Sequence, residues 1–320
     1  MKRCLVTGAS GFVGRALVKS LMLMGRYHVR AAVRRFSPDL SGLCTDSYII
    51  GEINQSTDWQ GALESIDVVV HCAARVHVMS GDKADDFFDE VNFLGSLKLA
   101  RQAASSGVRR FIFISSIKVN GECTAFDEAF SNISIPAPSD AYARSKFRAE
   151  LGLQEISNET GMEVVIIRPP LVYGPGVGAN FLTMIRWLQR GFPLPLGGVD
   201  NRRSLVYIGN LTNLIVRCLD HPAAGGKIFL VSDDEDMSTS VLLCRLGLAL
   251  GKPARLVSMP VALLLVGASL LRRRGMAQRL CGSLCVDITE TKRTLSWNPP
   301  YKTQDALNET AKYYLGQDAS

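Results

Sequence analysis

The 320-residue chain lacks the cysteine pattern of a metal-binding or disulfide-built protein. Its eight cysteines, Cys4, Cys44, Cys72, Cys123, Cys218, Cys244, Cys281 and Cys285, include no CxxC pair, and no histidines stand near them to complete a zinc site. Reduced thiols and no bound metal are expected. The sequence also lacks an apolar run of membrane-spanning length. Its most lipid-like stretch, residues 261–271, is roughly half the length a bilayer span needs and reads as a buried or interfacial helix. Because Arg272-Arg273-Arg274 follow directly, shallow contact with an anionic membrane surface stays open as a peripheral reading. After Met1-Lys2-Arg3 a strand-like run begins at once and leaves no room for the apolar core of a secretion signal, so a cytoplasmic protein is expected. Apart from that triplet, Lys and Arg are spread along the chain, and a net charge of +6 gives little support for a nucleic-acid partner. No repeat or low-complexity tract is present.

What the chain has is a hydrophobic content of 47%, enough for a large core, and an alternation of short β-branched runs with longer helical patterns. Strands are predicted at 4–7, 29–34, 48–50, 67–72, 111–115 and 164–168. Most are almost entirely apolar, as strands covered on both faces should be. Helices are predicted at 11–24, closed by Gly25, and at 87–106, ending before Gly107. After Arg168 the texture turns to loops rich in Pro and Gly, and two further strand-like runs, 204–208 and 227–231, suggest a return to the sheet. The expected fold is α/β, a doubly wound parallel Rossmann sheet with a smaller loop-rich C-terminal substrate region. Residues 1–168, with 204–232 returning to them, would form the dinucleotide-binding domain, and 169–203 with 233–320 the substrate region.

Gly8-Ala9-Ser10-Gly11-Phe12-Val13-Gly14 lies between the first strand and the first helix. There the backbone must approach a pyrophosphate closely, and amide donors with the helix dipole favour negative charge. The spacing is GxxGxxG, a variant of GxGxxG, and its position makes it a dinucleotide-binding turn. About 20 residues on, where an NAD enzyme carries an acid for the ribose hydroxyl, stand Arg34 and Arg35. Two guanidinium groups suit a 2′-phosphate, so NADP(H) is favoured over NAD(H), which stays open. Read as surface arginines after a strand, they say nothing of the cofactor.

Tyr142 and Lys146 are one helical turn apart on the same face. A tyrosine that exchanges protons near neutral pH needs a neighbouring positive charge, and Lys146 can supply it. Residues 111–116 end a buried strand in hydroxyls, which places Ser116 at the carboxyl edge of the sheet, where ligands bind. A hydroxyl there can hold a substrate oxygen while Tyr142 moves its proton.

On these residues the chain resembles the extended short-chain dehydrogenases/reductases, in the group of nucleotide-sugar epimerases, dehydratases and reductases. The resemblance also rests on His71-Cys72-Ala73-Ala74, on Val91-Asn92, on Arg168-Pro169-Pro170-Leu171-Val172-Tyr173-Gly174-Pro175, and on Arg202-Arg203-Ser204-Leu205-Val206-Tyr207-Ile208. It implies a UDP-sugar substrate, with Ser116 and Tyr142 on the sugar O4 and Lys146 on the nicotinamide ribose. Asn180 and Arg203 would contact the nucleotide diphosphate. A cofactor set of Gly8, Ser10, Gly11, Phe12, Val13, Gly14, Arg34, Arg35, Glu52, Ile53, Cys72, Ala73, Ala74, Asn92, Lys146 and Pro169 is implied as well. Without the resemblance, Asn180 reads as a cap for a helix starting at Phe181 and Arg203 as a partner of a nearby acid. Homodimers are usual in that family, although this sequence does not show one.

Dehydratases of the group follow the hydroxyl with an acidic pair, whereas Ser116 is followed by Ile117-Lys118, which speaks against dehydration. Asn120 stands where relatives carry Tyr, and Ser204 replaces an acid. With Arg34 in the cofactor position, the favoured reading is NADP(H)-dependent reduction of a UDP-linked 4-keto sugar. The runs Ser115-Ser116-Ile117-Lys118-Val119 and Gly282-Ser283-Leu284-Cys285-Val286-Asp287 look similar to surface-polysaccharide enzymes that reduce UDP-4-keto-6-deoxy-N-acetylhexosamines. The alternative is an NAD-dependent UDP-hexose 4-epimerase, acting on UDP-glucose or UDP-GlcNAc. A third reading, a dinucleotide-sensing module without chemistry, has no need of Ser116, Tyr142 and Lys146 together.

Overall fold

The computed structural model describes residues 1–36, 38–42, 44, 46–76, 84–270 and 274–317. Seven strands form one parallel sheet: β1 (Lys2–Thr7), β2 (Tyr27–Val33), β3 (Asp46–Ile49), β4 (Val68–His71), β5 (Arg110–Ile114), β6 (Glu163–Arg168) and β9 (Ile228–Leu230), in the order β3-β2-β1-β4-β5-β6-β9. This is the doubly wound Rossmann-type order. The chain winds outward from β1 to β3, then returns to the other side of β1 as β4. That reversal opens a crevice beyond the carboxyl ends of β1 and β4.

The sheet is covered on both faces because alternate side chains of each inner strand enter separate cores. Cys4 and Val6 of β1, Val68 and Val70 of β4, and Ile112 and Ile114 of β5 join one core, with Leu17, Val18 and Leu21 of the helix Phe12–Met24 and Leu211 and Leu214 of the helix Ile208–Asp220. Leu5, Val69, Phe111 and Phe113 face the other. There they meet Leu99 and Ala103 of the helix Gly95–Ser105 and Ala149, Leu153 and Ile156 of the helix Ala141–Thr160. Strands with no polar face therefore follow directly from two covered faces. Gly25 closes the first helix in the left-handed region at φ 62°, as its position predicted.

Two of the expected elements change. The helix predicted at 87–106 is three pieces, Ala84–Phe88, a π turn at Asp89–Leu94 and Gly95–Ser105, with the Gly95 N–H reaching back to the Glu90 carbonyl. The run at 204–208 does not return to the main sheet. It forms β8 (Leu205–Tyr207), which pairs in parallel with β7 (Leu171–Tyr173), a strand hidden within the Pro- and Gly-rich stretch. Asp233 fixes this small sheet by accepting from the Tyr207 N–H at 2.8 Å, the Asn210 amide at 2.7 Å and the Tyr173 hydroxyl at 2.8 Å. The run at 227–231 does return, as β9 beside β6. Of the basic triplet, Arg272 and Arg273 lie outside the described residues.

Buried charges tie the layers together. Arg110 on β5 donates to the carbonyls of Cys218, Leu219 and His221 at 2.6, 3.1 and 3.0 Å, capping the last turn of the helix Ile208–Asp220, and to Glu163 at 2.7 Å. Arg168, at the end of β6, makes a two-pronged pair with Glu150 and donates to Asn120 Oδ1 at 3.0 Å. Ser115 donates to the same Glu150 carboxylate. Arg168→Met would leave Glu150 charged, buried and unpaired, and should cost about 3–5 kcal/mol in urea denaturation. Arg168→Met/Glu150→Gln should recover most of that loss, and failure to recover any of it would locate the cost in packing alone.

Candidate active site

The turn after β1 is shaped by contact, not only by flexibility. Gly8 sits at φ 63°, and a Cβ there would lie 2.7 Å from the Ala73 nitrogen beyond β4. A Cβ on Gly14 would lie 2.2 Å from the Gly8 carbonyl oxygen, so the first helix turn packs directly on the loop. Gly11 donates to the Gly8 carbonyl at 2.9 Å and opens the helix with no side-chain cap among the described residues. The first-turn amides at Phe12, Val13 and Gly14 are thus left for an anion, the arrangement a dinucleotide pyrophosphate fits.

Beside this turn lies a cleft of about 340 Å³ lined by Gly8, Ser10 and Gly11 from the turn, and by Cys72, Ala73 and Ala74 beyond β4. Its far end is walled by Arg34, Glu52 and Ile53. Phe12 and Val13 pack against the core from the helix itself. The pairing of β2 with β3 sets Arg34 against Glu52 at 3.6 Å, with both side chains mostly exposed. Glu52, an acid of the implied cofactor set, therefore shares the place of Arg34. Arg35, next along, is exposed.

A buried hydrogen-bond line crosses from this cleft to the helix Ala141–Thr160. Ser96 Oγ donates to the Asn92 carbonyl at 2.7 Å, so it accepts from His71 Nε2 at 2.9 Å. His71 Nδ1 then accepts from the Thr7 hydroxyl at 2.7 Å, and Thr7 in turn receives the Ala73 N–H at 3.3 Å. These partners define a neutral imidazole with its proton on Nε2. Burial, reinforced by the Lys146 charge, holds His71 down at about 3. Asn92 is fully buried, and its amide is bonded to the Arg75 N–H at 2.8 Å, the Arg75 carbonyl at 3.0 Å and Ser145 Oγ at 3.1 Å. Asn92 thus braces the segment around Arg75 against the helix Ala141–Thr160.

Ser116, Tyr142 and Lys146 come together at the carboxyl edge of β5. Asp140 caps the helix Ala141–Thr160 by accepting from the Ala143 N–H at 2.7 Å, and Tyr142 sits in the first turn. Its hydroxyl lies within the influence of Ser116, and its ring meets the edge of Phe88 at 6.0 Å. Burial and the Asp140 carboxylate push the phenol up to about 12, against the pull of Ser116. Lys146 is buried, donates to the Ile114 carbonyl at 2.8 Å and lies 4.3 Å over the Phe113 ring. Burial, opposed by Glu150, brings its ammonium down to about 8. In the protein alone the phenol is thus held protonated, as a donor.

Pro169 is buried at the end of β6, where its carbonyl accepts from the Ile117 N–H at 3.0 Å and supports the Ser116 turn. Ile117 is buried, while Lys118 is held by Asp140 at 2.5 Å and Glu122 at 2.9 Å, so neither position offers a carboxylate beside Ser116. Arg203 donates to the carbonyls of Arg279 and Gly282 at 2.6 and 3.0 Å and pairs with no acid among the described residues. Asn180 is exposed in a helix that starts at Ala179 with Gly178 as its cap, so it does not cap a helix at Phe181. Of the residues that sequence reasoning missed, Asp140 is a part-exposed helix cap, while His71 as a relay, Ser145 and Glu150 are polar groups in helix or strand positions. Burial reveals them, and only the His71 motif marked any of them beforehand.

Comparison with known proteins bears on the family and the fold. A family model described as the NAD dependent epimerase/dehydratase family matches residues 4–232. UDP-glucose 4-epimerase of Vibrio cholerae is 46% identical over 317 residues, covering 98% of this chain and 96% of that protein. N-acetyl-alpha-D-glucosaminyl-diphospho-ditrans,octacis-undecaprenol 4-epimerase of Escherichia coli O157:H7 is 24% identical over 97% of this chain and 94% of its own length. Among solved structures, UDP-glucuronic acid 4-epimerase from Bacillus cereus in complex with NAD superposes with a TM-score of 0.80 at 23% identity. It covers 97% of this chain and 96% of that one, and at that identity the likeness is one of fold.

The relay makes a pH prediction. His71 stays neutral in the folded protein between its unfolded value near 6.5 and about 3, while the unfolded chain takes up a proton there. This residue's contribution therefore destabilises the protein progressively as pH falls below about 6.5. His71→Gln should flatten that acid slope in thermal melts, and nitrogen NMR of the wild type should show an Nε2-protonated ring that does not titrate at pH 5. A ring that titrates near 6.5 would break the relay.

Proposed function

The chain belongs to the NAD dependent epimerase/dehydratase family, and we propose that within it this protein is a nucleotide-sugar 4-epimerase acting on a UDP-linked hexose with NAD in the β1–β4 crevice. The observation that carries the reading is the gathering of Ser116, Tyr142 and buried Lys146 at one sheet edge next to the glycine turn. The identity of 46% to a UDP-glucose 4-epimerase supports the reaction class. Glu52 supports NAD, since a carboxylate facing Arg34 offers an acceptor to a free ribose hydroxyl and repels a 2′-phosphate.

In this reading Ser116 holds the sugar O4 and Tyr142 moves its proton. NAD held by the glycine turn would supply the hydride acceptor and donor that the C4 inversion needs. Tyr142 takes the O4 proton as the C4–H bond breaks and gives it back as that bond re-forms, so the cycle consumes no oxidant or reductant. Lys146, one turn on, and the positive charge of the oxidised ring provide the field that lowers a phenol otherwise held near 12. Gly8, Ser10, Gly11, Phe12, Val13 and Gly14 carry the pyrophosphate, Ile53, Cys72, Ala73 and Ala74 line its path, and Arg203 and Asn180 flank the sugar nucleotide. With Ile117 and Lys118 after Ser116, dehydration lacks its acid pair.

A second reading keeps the same residues but consumes NADPH to reduce a UDP-4-keto-6-deoxy-N-acetylhexosamine, and the adjacent cations Arg34 and Arg35 support it. The two part cleanly in one experiment. The epimerase reading expects purified protein to carry NAD and to interconvert UDP-glucose and UDP-galactose, or their N-acetyl forms, without net oxidation. Tyr142→Phe should slow turnover by about 10²–10⁴-fold with cofactor binding unchanged. Stoichiometric NADPH loss on the keto sugar, with no interconversion, would replace the epimerase by the reductase.

A further inference from the structure

The helix Val261–Leu270 has no charged residue on any side, yet none of its ten residues is buried. Val261 and Leu264 lean on the protein core, while Leu263 and Val266 are each 59% exposed and Leu270 is 82% exposed. A helix apolar all round needs an apolar medium on every side, and this protein supplies it on only one. At ten residues the helix is about 15 Å long, and no helix among the described residues is long and apolar enough to cross a membrane. Its geometry suits lying along an interface instead.

Charge identifies the medium. From Met237 to Val286 the sequence contains no acid and seven cations: Arg245, Lys252, Arg255, Arg272, Arg273, Arg274 and Arg279. Lys252, Arg255 and Arg279 are exposed, and the run of three arginines follows the helix directly in sequence. An uncharged apolar helix flanked only by cations matches an anionic bilayer, where each cation near the surface adds attraction.

The segment also adjoins the candidate active site. The following helix, Arg274–Cys281, leads to the carbonyls of Arg279 and Gly282 that bind Arg203. The next residues stitch onto the loop after Ser116, through Thr124 N–H to the Ser283 carbonyl and Phe130 N–H to the Cys285 carbonyl, both at 2.9 Å. The Arg279 charge is near enough to help lower Asp140, the cap of the Tyr142 helix.

We propose that Val261–Leu270 and the cations around it form a docking surface for an anionic lipid bilayer, on which the protein sits peripherally with the helix in the headgroup layer. The full-length protein is tested by flotation with vesicles of phosphatidylglycerol and phosphatidylethanolamine, and with vesicles of phosphatidylcholine alone. Binding is expected to the first and not the second, and to weaken with salt. Arg272→Glu/Arg273→Glu/Arg274→Glu should weaken it by about a hundredfold or more. Leu263→Asp/Val266→Asp should abolish it, with both variants keeping the melting temperature and turnover of the wild type in solution. No flotation with the anionic vesicles, or flotation that neither variant reduces, overturns the proposal. So does a dimer in sedimentation that Leu263→Asp/Val266→Asp dissociates, which would assign the helix to a second copy of the chain.

Discussion

The buried hydrogen-bond line from Thr7 through His71 and Ser96 to Asn92 is the constraint on which both halves of the site depend. At one end Thr7 holds the Ala73 amide, and Ala73 is the residue against which Gly8 is fitted. At the other, Asn92 bonds Ser145, whose hydroxyl donates to the Tyr142 carbonyl at 2.8 Å. The glycine turn and the phenol belong to segments far apart in the chain, yet a continuous set of satisfied buried polar groups fixes one relative to the other. Each member has one workable role, and an imidazolium at His71 would disrupt them all.

A second set of buried charges supports the opposite side of the site. The Arg168–Glu150 pair, with Ser115 and Asn120 attached, sits beneath the turn that presents Ser116. Glu150 also bears on Lys146, one turn before it on the same helix. Removing either charge alone would leave the other in a low-dielectric interior, so the network is costly to break but precise in where it puts the hydroxyls. This surrounding keeps Tyr142 protonated until further positive charge arrives. A phenol so poised suits the proposed cycle, which takes up and returns the same proton, and neither Ile117 nor Lys118 places a carboxylate beside Ser116.

Much of this was legible in the sequence because it depends on local pattern. Strands apolar at every position announced a sheet covered on both faces, and the glycine spacing between strand and helix announced the turn. Tyr142, Lys146 and Ser116 were legible as types at a spacing, and the fold brings them to one edge. What was not legible depends on register and burial. Glu52 reaches Arg34 only because β3 pairs beside β2, so the arginines alone pointed toward NADP(H). Asn92 carried a motif, but its buried amide is used up by backbone and Ser145. The strand at 205–207 was visible, whereas its pairing with β7 depends on Asp233, which lies far along the chain. Lys146 faces the Ile114 carbonyl because that buried acceptor is within reach, a choice no helical spacing reveals.

The central claim is that hydride and proton leave the sugar and return to it within one closed site. It is tested most directly with UDP-glucose carrying deuterium at C4. The account predicts UDP-galactose with the deuterium still at C4, none of it exchanged into solvent and no cofactor consumed. Loss of the label from C4, or turnover only when external NADPH is supplied and spent, would contradict it.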